Sequence, residues 1–320
     1  MFGDCHLLPV TDSAHPSPLA GQLEPWAYEV SAGFTLRGLR SRPSGKPLLH
    51  FIHGNGYSGL VYEHMLAPLL PHFDLFLSDV QGHGDSDVGG HFRGWNATAG
   101  FCHEVLTAFM DEYQDDNGQP VPRFGLGHSF GGVMTSLMMA QHPDLFRQSL
   151  LLDPVIFTPP MIGVMALSDT VGLWHKNDMA SRARRRRAHW DDAAQAFDYF
   201  HQRGIFKGWD DRCLWSYVHH GLQPVPEGGL GLVCKPTREA ELFGSFPRGL
   251  WRSLKRVSTP TAILYGDRTY PFVGKSVARL GKLNTCFSAE QTAGGHCFML
   301  QLPEATADYV LRQFGVHTPA

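Results

Sequence analysis

No run in this chain reaches the roughly 18 apolar residues of a membrane-crossing helix, although 43% of its 320 residues are hydrophobic. Nor does a basic start lead into a long apolar stretch. Met1 to Pro18 is polar and proline-rich, without the pattern of a signal peptide, and Met1 to about Glu24 reads as a poorly ordered arm. Neither sign of charge dominates. The 27 basic and 30 acidic side chains give a net charge of -3, which offers no general attraction for nucleic acid or an anionic membrane. The six cysteines, Cys5, Cys102, Cys213, Cys234, Cys286 and Cys297, include no CxxC pair. That argues against a disulfide frame or a zinc site and for free thiols in a reducing compartment. Gly82-His83-Gly84 lacks the spacing of a dinucleotide loop, and no G-x-x-x-x-G-K-[ST] loop is present, which argues against a nucleotide site. No internal repeat is visible. These absences predict a cytoplasmic protein with no stable membrane insertion and no nucleic-acid partner. The length accommodates one large core, or one core with an inserted subdomain.

The most informative stretch runs from Arg123 to Val133. It contains G-x-S-x-G, filled by Gly127, Ser129 and Gly131. A short apolar run precedes it and a helix-like run, Val133 to Ala140, follows. Strand, sharp turn and helix in that order form the context of a nucleophile elbow, in which a tight turn lifts the serine Oγ clear of the sheet edge. Glycines on either side leave room for the turn. Other apolar strands are predicted at Leu48 to His53, Leu75 to Asp79, Ser149 to Asp153 and Thr261 to Tyr265, with intervening helices. Nearly continuous apolar strands alternating with helices imply a mostly parallel sheet covered on both faces. Between about Phe157 and Phe246 this alternation stops. The segment is helix-like and rich in aromatics, including Trp174, Trp190, Phe197, Tyr199, Phe200, Phe206, Trp209, Trp215 and Tyr217. It reads as a cap inserted over the sheet, and its aromatics suggest an apolar acyl or aromatic group beneath it. The division expected is a core over 25–156 and 247–320 with a cap over 157–246.

Five marks in this order, His53-Gly54-Asn55-Gly56, Asp79 to Ser86, Gly127 to Gly132, Tyr265-Gly266-Asp267 and Gly294-Gly295-His296, resemble those of the α/β-hydrolase superfamily along nearly the whole chain. The resemblance implies the α/β-hydrolase fold and a serine hydrolase with a Ser-His-Asp triad. Ser129 is then the nucleophile and His296 its base, since an unactivated hydroxyl is inert at neutral pH. His53, His83 and His128 read as structural. The acid departs from the commoner G-x-x-D pattern, because Gly266-Asp267-Arg268-Thr269 ends in threonine. Asp153, closing the strand after the elbow helix, is the favoured replacement, and Asp267 is the alternative. The oxyanion hole is assigned to the backbone N–H groups of Phe130 and Asn55.

The resulting expectation is hydrolysis of a small to medium apolar carboxylic ester, with no cofactor and no metal. Thioester, lactone, amide or carbon–carbon hydrolysis on the same triad is the alternative, and a non-catalytic binding protein of the same fold belongs to a different class. Homo-oligomerisation is left open. The run Arg182 to Arg187 reads as a charged helix face balanced by Asp178, Asp191 and Asp192, with one arginine turned inward as an anchor.

Overall fold

A computed structural model describes residues 15–316 of the chain. Eleven strands are present among them. They are β1 (Glu24–Val30), β2 (Phe34–Arg40), β3 (Leu48–Ile52), β4 (Asp74–Ser78), β5 (Arg123–His128), β6 (Gln148–Leu152), β7 (His189–Trp190), β8 (Leu222–Pro224), β9 (Leu230–Leu232), β10 (Thr261–Gly266) and β11 (Phe287–Thr292). Eight form one sheet in the order β1-β2-β4-β3-β5-β6-β10-β11. β1 pairs antiparallel with β2, and β2 antiparallel with β4. All the other pairings in this sheet are parallel. Helices cover both faces, and a largely helical region is inserted between β6 and β10, giving the α/β-hydrolase fold with a cap.

The strand sequences explain this layering. All five residues of β3, Leu-Leu-His-Phe-Ile, are buried. Side chains alternate between faces along a strand. Leu49 and Phe51 join one apolar cluster, while Leu48 and Ile52 join the other. The one polar member, His50, places Nε2 2.9 Å from Ser78 Oγ on β4. By contrast β1 alternates buried and exposed positions, as befits an edge strand with one wet face. Strand order reverses at β3: the chain passes from β3 to β4 on one side, and β5 lies on the other. The loops leaving the carboxyl ends of β3 and β5 therefore diverge, and the crevice between them is the natural ligand site of an open α/β sheet.

Three features differ from expectation. The insertion contains a small antiparallel sheet, β7-β9-β8, as well as helices. Its strands are only two or three residues long, too short for a period-2 pattern to stand out in the sequence. Of the poorly ordered arm expected over Met1 to Glu24, 1–14 lie outside the described residues. The remainder is anchored at two points: Leu19 is buried, and the Ser17 hydroxyl donates to the buried Glu63 carboxylate. Finally, five of the nine aromatics singled out in the insertion, Trp190, Phe200, Phe206, Trp209 and Tyr217, are buried together in a cluster shared with one face of the central sheet.

The elbow helix, Phe130–Gln141, is pressed directly onto the end of β3. A Cβ at Gly131 would lie 2.0 Å from the Ile52 carbonyl oxygen and 2.6 Å from that of His53. Gly131→Ala must therefore part the helix from the strand, and a loss of about 3 kcal/mol is expected, at the upper end of ordinary overpacking. Urea unfolding of wild type and variant measures it. An unchanged midpoint would show that the backbone contact does not hold the helix in place.

Candidate active site

Ser129 stands between β5 and the elbow helix at φ 55° and ψ -114°. Few non-glycine residues adopt a positive φ, and those that do cluster at functional turns. Two contacts hold this one there. The Ser129 N–H donates to the Leu152 carbonyl of β6 at 2.9 Å. On the other side, Gly127 leaves space that a side chain would take from the Gly131 carbonyl, 2.5 Å from where its Cβ would stand.

His296 lies on the loop after β11, in front of the short helix Phe298–Gln301, whose Phe298, Met299 and Leu300 are buried. Its Nε2 is 2.8 Å from Ser129 Oγ, and its Nδ1 is 2.5 Å from Asp153 Oδ2. A carboxylate only accepts, so Nδ1 carries the proton and Nε2 is free to accept from the serine hydroxyl. Asp153 is fully buried, with φ 44°. Its Oδ1 accepts from the Gly266 N–H at 2.9 Å. Its Oδ2 accepts from the Thr269 hydroxyl as well as from His296. Thr269, the position where the commoner pattern carries the acid, thus donates to the carboxylate that contacts the imidazole. Asp267 is turned elsewhere. It accepts from the Gly294 N–H at 2.8 Å and lies 3.6 Å from the Arg268 guanidinium.

The oxyanion candidates come from the two diverging loops. Phe130 opens the elbow helix, where the first N–H groups have no intrahelical acceptor. Among the described residues, neither its N–H nor that of Asn55 donates to a protein group. The Asn55 side chain is occupied, its Nδ2 donating to the Glu239 carbonyl at 3.3 Å.

The neighbouring histidines are a scaffold. His128 is fully buried, and its Nε2 donates to the His296 carbonyl at 3.0 Å. Its Nδ1 must then accept from the Tyr62 hydroxyl, at 2.7 Å, and that hydroxyl in turn accepts from the Gly54 N–H at 3.1 Å. This neutral relay joins the loop after β3 to the loop that carries His296. Burial, with His296 close by, keeps His128 well below the ordinary imidazole value. Burial likewise lowers His53 to about 4, and holds His83 well below its usual range. The His53 Nε2 accepts from the Val80 N–H at 3.1 Å, and the His83 Nε2 accepts from the Gly56 N–H at 3.0 Å. Cys297, adjacent to His296, is no rival nucleophile, because burial pushes its thiol up to about 12.

A cavity of about 420 Å³ opens over Ser129 and His296. Its walls include Trp95, Phe157, Met161, Met165, Leu242 and Phe272. Of the nine aromatics singled out in the insertion, only Trp174 lines it. The apolar pocket is there, but chiefly other residues build it. One carboxylate at the wall, Glu239, is neutralised by Arg186 at 2.6 Å. Arg186 also donates to the Tyr217 hydroxyl, so one arginine of the run does turn inward, and its partners lie within the insertion. Sequence reasoning missed Thr269, Tyr62 and the three wall methionines, Met161, Met165 and Met179. A threonine at a known acid position was the one signal available.

A profile of the alpha/beta hydrolase family matches residues 51–309. The type I acyl-CoA thioesterase mpaH of Penicillium brevicompactum is 32% identical over 187 residues, which cover 54% of this chain and 39% of that protein. The chain thus spans about two fifths of the length of that relative. A putative non-heme haloperoxidase of Mycobacterium phage D29 is 27% identical over 88% of this chain and 91% of its own. The solved structure of E-2-(acetamidomethylene)succinate hydrolase superposes with a TM-score of 0.73 at 19% identity, covering 91% of this chain and 98% of that one.

Acid should destabilise the protein through its buried histidines. Their folded values are depressed, to about 3 for His50 and about 4 for His53, against about 6.5 when unfolded. Below that value the unfolded chain binds protons that the folded chain refuses, so stability falls as pH drops from about 6.5 towards 4. Asp79 opposes this, since burial raises it to about 7, but it is one group against His50, His53, His83 and His128. The urea midpoint is expected to be lower at pH 5 than at pH 7.5. Equal midpoints would mean that the four rings exchange protons freely in the folded state.

Proposed function

From the premise that the chain belongs to the alpha/beta hydrolase family, we propose that it is a serine hydrolase cleaving a small to medium apolar carboxylic ester through an acyl-enzyme. The observation that carries this reading is the unbroken line Ser129 Oγ, His296 Nε2, His296 Nδ1, Asp153 Oδ2, with separations of 2.8 and 2.5 Å. Ser129 Oγ attacks the ester carbonyl while His296 Nε2 takes its proton. Asp153 stabilises the imidazolium and fixes its tautomer. The N–H groups of Phe130 and Asn55 receive the developing oxyanion. His296 then hands its proton to the departing alkoxide. Water, deprotonated by the same imidazole, releases the acid and restores the serine. The acyl group occupies the apolar cavity. Residues 157–246 act as the cap, and 25–156 with 247–320 act as the catalytic core.

Thioester hydrolysis is the second reading, favoured by the resemblance to an acyl-CoA thioesterase. Attack and oxyanion stabilisation are the same; only the leaving group changes. Turnover of p-nitrophenyl esters and of acyl-CoA thioesters of matched chain length separates the two. The ester reading requires ester turnover that disappears in Ser129→Ala. Labelling by a fluorophosphonate probe that survives Ser129→Ala would overturn the nucleophile assignment.

Asp153→Asn is expected to lower kcat by about 10³–10⁴, the scale of losing the acid of such a triad. Asp267→Asn, which weakens the Gly294 and Arg268 contacts, should cost far less. The reverse order would move the acid to Asp267.

Thr269→Val removes a hydrogen bond to the charged carboxylate and is expected to lower kcat about tenfold with KM little changed. Thr269→Ser should restore most of it. Wild-type kcat in Thr269→Val would show that the hydroxyl is not needed to aim Asp153.

A further inference from the structure

The helix Pro159–Thr170, Pro-Pro-Met-Ile-Gly-Val-Met-Ala-Leu-Ser-Asp-Thr, carries a single charge, and Met165 is its only buried residue. An all-round apolar helix ordinarily belongs in a core. Here Val164 and Leu167 are 64% and 72% exposed, and the following loop adds Val171 and Leu173 at 64% and 55%. Scattered exposed leucines need no explanation, but a contiguous apolar patch does. The patch borders the mouth of the cavity. Met161 and Met165, on the same helix, line that cavity, as does Met179, which is itself 45% exposed.

Charge indicates what covers it. Residues 159–187 hold six basic side chains, Lys176, Arg182, Arg184, Arg185, Arg186 and Arg187, against two acidic ones, Asp169 and Asp178. That is a net +4 within a chain of net -3. Arg186 is spent inside on Glu239, and Arg187 lies over Trp190 and Tyr199. Lys176, Arg182, Arg184 and Arg185 stay exposed. Arg248, 82% exposed, sits 3.6 Å from Asp169 on the helix itself. A second copy of the chain docked here about a two-fold axis would set these cations against one another. An anionic surface would not.

We propose that the exposed side of the helix Pro159–Thr170, with Val171 and Leu173, docks on an anionic phospholipid surface, so that the cavity mouth faces the lipid. Twelve residues span only about 18 Å, and no helix among the described residues is long and apolar enough to cross a membrane. The helix therefore lies in the interface, its apolar side chains among the acyl chains and the arginines at the headgroups. Docking stands apart from the hydrolytic reading. One consequence rests on that reading: the natural ester is a single-chain amphiphile drawn from the surface into the cavity.

Co-sedimentation with vesicles tests the docking. The full chain is mixed with phosphatidylcholine vesicles, and with vesicles of three parts phosphatidylcholine to one part phosphatidylglycerol. Sedimentation with the anionic vesicles alone, weakened by salt, is expected. Leu167→Glu combined with Val171→Glu should weaken it at least about tenfold. Neither residue lines the cavity, so this variant should hydrolyse water-soluble p-nitrophenyl acetate as wild type does. A second variant, Arg182→Glu with Arg185→Glu, should lose the anionic preference. The proposal is overturned if wild type stays in solution with both vesicle types, or if the Leu167/Val171 variant still sediments fully. It is also overturned if size-exclusion chromatography shows a concentration-dependent dimer that this variant abolishes, which assigns the patch to a second copy. Failure to hydrolyse any ester would refute the hydrolytic reading and leave the docking result standing.

Discussion

The 2.5 Å contact between His296 Nδ1 and Asp153 Oδ2 sets the demands that the carboxyl edge of the sheet has to meet. A carboxylate with no exposure to water is costly unless donors surround it. Three do: the Gly266 N–H, the Thr269 hydroxyl and the His296 ring. They arrive from successive strands because β6, β10 and β11 lie side by side in that order. Asp153 follows β6, Gly266 ends β10 and Thr269 follows it, and His296 comes after β11. The left-handed turn at Asp153 sends its side chain across the end of β10. Aspartate adopts that conformation more readily than most residues, so the residue that supplies the charge also tolerates the turn.

A second line of neutral groups braces the same site from the other side. Gly54 N–H to Tyr62 hydroxyl to His128, and His128 to the His296 carbonyl, connects the loop that offers Asn55 to the loop that offers the imidazole. The links through Tyr62 are buried and the one to His296 part-buried, and burial keeps His128 uncharged. A charged ring there would oppose an imidazolium forming on His296, whose ring centroid is 4.9 Å away. Neutrality of His128 is thus a condition for the proposed proton transfer as well as a result of packing. A scaffold that satisfies its own hydrogen bonds before substrate arrives requires little reorganisation during reaction.

The core and the candidate site were largely legible in the sequence because their signals are local. Apolar runs such as Leu48 to Ile52 mark strands buried on both faces, and Gly127-His128-Ser129-Phe130-Gly131 marks a turn whose close approaches only glycine permits. The sequence favoured Asp153 over Asp267 without excluding the latter. Which carboxylate faces His296 depends on how the turns after β6 and β10 aim the two side chains, through tertiary hydrogen bonds from Thr269 and Gly294 rather than through spacing. The cap was the least legible part. Its aromatics advertised a pocket, yet Trp190, Phe200, Phe206 and Tyr217 are packed into a buried cluster shared with one face of the sheet. An aromatic residue carries the same pattern whether it faces a ligand or another ring. The wall methionines, flexible enough to fit irregular space, carried no pattern at all.

Whole-chain averages obscured the cap in another way. A net charge of -3 suggests indifference to anionic surfaces, but charge acts over about a Debye length, roughly 10 Å in ordinary salt, not over a whole molecule. What a surface feels is the segment that faces it, and 159–187 is positive while the rest of the chain is more negative than the average. The same reasoning applies to hydropathy. The helix Pro159–Thr170 is too short to span a bilayer and too apolar to be stable facing water on most of its circumference. Its sequence fits the proposed arrangement: one side closing a cavity and the other resting on an apolar phase that the described residues do not supply.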